Sequence, residues 1–142
     1  MYIITEKVKR EKKEMSKYKS FGDLLRQSRL NAKYGLRQFA REIGWQPSNL
    51  SNLEHGRLNP PQDKEVLATI AEVLGFEEDS DQWRTLFDLA SKENQKFLPA
   101  DVEDFVKGLE ATPVLFRTMK EKKITESELK ELVEYIRKHY AK

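Results

Sequence analysis

The chain of 142 residues contains no cysteine, two histidines, six glycines and five prolines, and its longest apolar runs are only a few residues. Each shortage excludes something. Without cysteine there is no disulfide framework, thiolate metal site or cysteine nucleophile, a usage that fits a reducing, cytoplasmic setting. Without a long apolar run there is no membrane span, and Met1 to Thr5 is too short for the hydrophobic part of a secretion signal. His55 and His139 are the only imidazoles, and HExxH, GxxxxGK[ST] and GxGxxG are all missing. No zinc site or phosphate cradle therefore follows from a known spacing. Carboxylates are plentiful but scattered over helix surfaces, which leaves a paired acid–base site to coincidence. The expectation is a protein that is not an enzyme and takes no cofactor or metal. Its length suits one compact domain, or a small domain with an appendage.

What is present is charge, at 35% of residues, laced with regularly recurring apolar positions. The net +2 hides a sharp division. Residues 1–19 carry seven basic and three acidic groups, residues 20–60 six and three, residues 61–96 four and nine, and residues 97–142 nine of each. Any surface that faces a polyanion therefore belongs to the first 60 residues, although exposed charge usually serves only solvation.

Hydrophobic periodicity predicts an all-α fold. Ser20 and Asp23 open a helix whose Phe21, Leu24, Leu25 and Ser28 share a face to about Asn31. Leu36, Phe39, Ala40 and Ile43 form a second helix between Gly35 and Gly44. Pro47 starts a third, with Leu50 and Leu53 as its apolar edge and Gly56 as its end. After Asn59-Pro60-Pro61, the stripe Val66, Leu67, Ile70, Ala71 and Leu74 runs to Gly75, and Ser80 or Asp81 caps a helix carrying Trp83, Leu86, Phe87 and Ala90. Two short helices joined by Gly44-Trp45-Gln46 cannot bury themselves, so they lean on the other three to give a five-helix domain over residues 20–94. Residues 95–142 form a C-terminal helical unit, in which Thr125 and Glu128 make a capping box. Residues 1–19 form a basic arm that reads equally as a strand, a frayed helix or disorder.

The third helix has an unusual surface. With Leu50 and Leu53 inward, Pro47, Ser48, Asn49, Ser51, Asn52 and His55 occupy the rest of it. A solvated helix face normally favours Lys, Glu, Gln and Ala, whereas small amides and hydroxyls weaken a helix but bond at close range. Such a face suits base edges in the major groove, where an amide can bond adenine bidentately. Equally, these residues read as caps and solvent-facing positions.

Residues 20–91, about half the chain, resemble the helix-turn-helix of the Xre family, the phage Cro and cI-repressor type. Phe21-Gly22-Asp23-Leu24-Leu25-Arg26 is similar to that family's first helix and Leu36 through Gly44 to its second. Pro47 through Arg57, followed by Asn59-Pro60-Pro61, resembles its recognition helix and the loop behind. The resemblance implies a five-helix lambda-repressor-like domain that reads double-stranded DNA bases with Ser48, Asn49 and Asn52, Pro47 setting the helix against the groove. It implies phosphate contacts from Arg37, Arg41, Ser51 and Arg57, assisted by backbone N–H groups at the starts of helices two and three. It also implies an internal salt bridge between Arg29 and Glu54. Two positions depart from the family. Leu36 stands where many members have Gln, removing one phosphate contact, and Gln46 stands where Ser or Thr usually caps helix three. Trp45 reads as a hydrophobic staple onto Leu50 or as a stacking residue.

A single module contacts few base pairs, so useful affinity calls for a dimer on a palindrome. The interface expected for a homodimer or another partner is the stripe Leu129, Leu132, Val133, Ile136 and Tyr140. Packing of the same stripe within the chain, against Phe105, Val114, Leu115 and Phe116, is the alternative. Two functions stand at this point. One is a dimeric repressor. The other is an antitoxin that covers a toxin protein with residues 1–19 or 97–142 and uses the helix-turn-helix for autoregulation.

Overall fold

The computed structural model describes residues 17–140, and residues 1–16 of the expected basic arm lie outside the described residues. Among the described residues there are eight helices and no strand, the all-α architecture that the periodicity predicts. They are α1 (Phe21–Asn31), α2 (Leu36–Ile43), α3 (Pro47–Glu54), α4 (Lys64–Leu74), α5 (Asp81–Glu93), α6 (Ala100–Lys107), α7 (Thr112–Glu121) and α8 (Glu126–His139). The chain forms two compact units that divide after Glu103, inside α6.

The first unit holds the core. Phe21, Leu24 and Leu25 of α1, Phe39 and Ala40 of α2, Leu50 and Leu53 of α3, Leu67 and Ile70 of α4, and Leu86 and Phe87 of α5 are all fully buried. Together with the partly buried Leu36 and with Trp83, they follow the i, i+3, i+4 spacing that places side chains on one helix face. Trp83 stacks on Phe87 with ring centroids 5.0 Å apart, and Tyr34 meets Phe39 edge-on at 5.7 Å. Local chemistry fixes the helix starts. The Ser20 hydroxyl accepts from the Asp23 N–H of α1, Asp63 accepts from Glu65 and Val66 of α4, and Ser80 accepts from Trp83 of α5. Thus α4 begins at Lys64, three residues beyond Pro61, because Asp63 is the residue able to cap it.

The second unit is built differently. Thr125 and Glu128 close the capping box at the start of α8, the Thr125 hydroxyl accepting from the Glu128 N–H at 3.2 Å. Yet α7 has no buried residue, and Glu134 is the one buried side chain among the described residues of this unit. No described helix is long and apolar enough to cross a membrane.

Candidate nucleic-acid interface

The turn between α2 and α3 is set by Gly44, which ends α2 at φ +76, where a side chain would be strained. The Trp45 N–H then donates to the Ala40 carbonyl at 2.8 Å, satisfying one of the last carbonyls of α2. Pro47 occupies the first turn of α3 and has no N–H to leave unpaired. Trp45 is half-buried and lines a shallow groove beside Ile43 and the Val66 and Ile70 side chains of α4.

Three contacts clamp α3 to the domain. Leu50 and Leu53 enter the core, which fixes the rotation of the helix. At its C-terminal end, Glu54 accepts from Arg29 Nε at 2.7 Å and from Nη2 at 2.9 Å, a bidentate pair with both side chains buried. The remaining guanidinium arm, Nη1, donates to the Tyr34 carbonyl at 2.9 Å. The hydrogen bonds from Glu54 hold the Arg29 guanidinium above its ordinary pKa, against the opposing effect of burial. Finally, α1 crosses α3 at backbone distance. A Cβ on Gly22 would lie 2.4 Å from the Leu53 carbonyl oxygen and 2.8 Å from that of Glu54, so only glycine fits.

With that rotation set, Ser48, Asn49 and His55 are exposed, while Pro47, Ser51 and Asn52 are half-buried. Ser48, Asn52 and His55 follow the i, i+4, i+7 spacing of one helix face, opposite Leu50 and Leu53. His55 Nδ1 lies 2.7 Å from the Ser51 carbonyl oxygen, within hydrogen-bond reach. Asn52 is not isolated. Behind α3 the chain reverses through Gly56 at φ +74, and Arg57 returns to donate from Nη1 to the Asn52 side-chain oxygen at 3.4 Å. On α2, Arg37 and Arg41 are exposed and one turn apart.

Neither α2 nor α3 has a side-chain cap, since Gly35 and Gln46 occupy the capping positions without bonding into the helix. Backbone amides at an uncapped N-terminus are a favourable place for an anionic oxygen. Both uncapped ends, the exposed Arg37 and Arg41 and a face of small polar side chains thus belong to one two-helix element, with Arg57 in the loop directly behind it.

Residues 20–83 match the family model of a helix-turn-helix domain. This segment is thus similar to helix-turn-helix domains, and its all-helical fold agrees with that likeness. No curated protein and no solved structure gave a significant match to the chain. Helix-turn-helix domains bind duplex DNA by laying the second helix of the motif in the major groove while the first crosses the backbone. In this chain α2 is the first helix of the motif and α3 the second. The match supports DNA binding as the activity of this segment.

Sequence reasoning missed the residues that brace the loop behind α3. Asn94 Nδ2 donates to the Pro60 carbonyl at 2.8 Å, and Gln62 Nε2 donates to the Ala90 carbonyl at 2.6 Å. The Glu93 carboxylate accepts from the Phe21 N–H, tying the end of α5 to the start of α1. The one local signal for this brace is a pair of amide side chains next to helix ends. The expected interface stripe lies in the second unit, with Leu129 and Leu132 half-buried and Val133, Ile136 and Tyr140 exposed.

Proposed function

We propose that the protein is a sequence-specific regulator of the Xre type, a repressor that binds a palindromic operator as a dimer through the helix-turn-helix domain of residues 20–94. Ser48, Asn49 and Asn52 read base edges, with Pro47 setting the approach of α3. Arg37, Arg41, Ser51 and Arg57 hold phosphates and so fix the register on the duplex. Arg29 and Glu54 act inside the protein, holding the recognition helix at a fixed angle. The observation that carries this reading is the outward polar face of α3 on a helix whose other side is locked into the core.

Genomic-fragment selection with the purified protein, read by sequencing, tests it. A recurring palindrome with half-sites about one DNA turn apart is the expected result. Asn52→Ala should weaken binding to that site by about 1–3 kcal/mol while leaving non-specific duplex almost unaffected. Equal loss on every sequence would remove Asn52 from the base-reading set. The apolar residues exposed in the second unit favour a second reading, an antitoxin that covers a toxin protein there and represses its own operon. A toxin gene beside this one would favour that reading.

A further inference from the structure

From α8 we infer how two copies of this chain associate: the helix pairs antiparallel with the same helix of a second copy, about a twofold axis near Leu132 and Val133. The inference supplies a geometry for the dimer of the proposed function. It rests on that dimer and not on the DNA contacts.

The apolar stripe is present, half-buried at Leu129 and Leu132 and open toward its C-terminal end. At about 100° per residue, Leu129, Leu132, Val133, Ile136 and Tyr140 fall within about 100° of helix arc. Val133, Ile136 and Tyr140 are 37%, 49% and 71% exposed, increasingly open toward the C-terminal end. A stripe of this width normally faces a partner rather than water.

The spacing selects the occupant. An antiparallel copy centred between residues 132 and 133 sets Leu129 opposite Ile136 and Leu132 opposite Val133, with Tyr140 meeting the residues that open the helix. Each of these central layers is apolar against apolar, and the arrangement is self-complementary, as a twofold interface requires. Charge then selects the direction. Glu126 and Glu128 flank the start of the stripe and Arg137 flanks its end; Lys130 lies in the first half and Glu134 in the second, away from the stripe, and Glu131 and Lys138 are on the far side of the helix. A parallel pair would set acid against acid and base against base. Antiparallel pairing sets the acidic start of one copy beside the basic end of the other. Glu126 and Arg137 lie on the same flank of the stripe, about 20° apart on the helical wheel. Each therefore meets its counterpart across the twofold. Within one chain Glu126 has a 4.0 Å contact to Lys130, and Arg137 is 3.5 Å from Glu134. Acid at the start and base at the end also suit the helix dipole, so the dimer uses a pattern that α8 already favours.

The test uses the full chain without DNA, in sedimentation equilibrium, with circular dichroism to confirm helix content. Wild type should dimerise, and Ile136→Asp should raise the dimer Kd at least about a hundredfold, since each dimer loses two buried isoleucines. Glu126→Arg or Arg137→Glu alone should raise it about tenfold, and the double variant should restore it. Direction is read independently, because the natural chain has no cysteine. Leu129→Cys mixed with Ile136→Cys should give a disulfide-linked heterodimer, whereas neither variant should cross-link with itself. Self-cross-linking at position 129, or a double charge swap that restores nothing, overturns the antiparallel pairing. A dimer indifferent to Ile136→Asp overturns the role of α8 but leaves dimeric DNA binding standing. A chain that stays monomeric both free and on its operator overturns the dimer itself. If such a monomer has α8 amides protected from hydrogen exchange, its own polypeptide covers the stripe.

Discussion

Glu54→Ala is the most direct probe of how α3 is held. The substitution removes two short charge-assisted hydrogen bonds, at 2.7 and 2.9 Å, and leaves Arg29 with the Tyr34 carbonyl as its remaining partner. The Arg29 side chain is 9% exposed, so its charge gains little from water once Glu54 is gone. Breaking a buried pair by removing one partner costs about 3–5 kcal/mol, whereas an exposed pair is worth about 0–1 kcal/mol. For a domain of this size each kcal/mol moves Tm by about 4–8 °C, so Glu54→Ala should lower Tm by at least about 12 °C. The double variant Arg29→Met with Glu54→Leu removes both charges and fills the space. It should recover most of that loss, because apolar replacements of a buried pair are often neutral or stabilising. Thermal melts at low ionic strength and at about 1 M salt complete the cycle, since a buried pair is screened far less than an exposed one. If Glu54→Ala melts within about 4 °C of wild type, or salt removes the difference, the pair behaves as a surface ion pair and the argument for a clamped α3 is wrong.

Gly22→Ala should destabilise the domain by roughly 2–4 kcal/mol, because its Cβ would meet backbone oxygens of α3 that cannot move aside; a denaturant midpoint equal to wild type would show that α1 and α3 separate easily. Arg41→Glu should weaken binding to every duplex and flatten the dependence of log Kd on log salt, by about 0.9 for each phosphate no longer neutralised. An unchanged slope would remove Arg41 from the phosphate-binding set. Asp101 is held above the ordinary carboxylate pKa chiefly by burial, and its Oδ1 has no hydrogen-bond partner among the described residues. Its folded pKa exceeds the unfolded one, so the native state binds more protons. Stability therefore falls as pH rises through the interval between the two values, and the cost persists above it. Asp101→Asn should raise Tm at neutral pH, with the gain vanishing below the carboxylate range; a gain that is equal at all pH values would exclude ionisation as its cause.

What was legible in the sequence was local. Ser20, Ser80 and the Thr125–Glu128 box mark helix starts because a short side-chain oxygen reaches the N–H three residues on, within one stretch of chain. The outward direction of Ser48 and Asn49 was equally legible, since Leu50 and Leu53 fix the rotation of an eight-residue helix. The Gly22 crossing was not. Nothing near Gly22 in the sequence says that two backbones meet there, and its neighbours on α3, Leu53 and Glu54, are far along the chain. The amide bridges of Gln62 and Asn94 were illegible for the same reason, spanning 28 and 34 residues. The stripe of α8 was legible as a pattern, whereas the exposure of Val133, Ile136 and Tyr140 depends on the packing of the whole second unit.

The arrangement of caps bears on function. The helices α1, α4, α5 and α8 each have a side-chain oxygen satisfying their first amides, whereas α2 and α3 have none. A missing cap typically costs about 1 kcal/mol, and α3 adds weak helix formers at Ser48, Asn49, Ser51 and Asn52. At eight residues each, α2 and α3 are shorter than α1, α4 and α5, so they are less able to absorb the loss. The uncapped start of α7 has no such context, because that helix buries nothing. What keeps α2 and α3 folded is long-range: Phe39, Ala40, Leu50 and Leu53 in the core, and the Arg29–Glu54 pair at the far end of α3. Capping α3 should therefore separate stability from binding. Gln46→Ser should stabilise the domain by about 1 kcal/mol and, by occupying an amide that would otherwise meet a phosphate, weaken binding to all duplexes alike. If the cap stabilises the protein and leaves DNA affinity unchanged, the open end of α3 does not touch the backbone of the duplex.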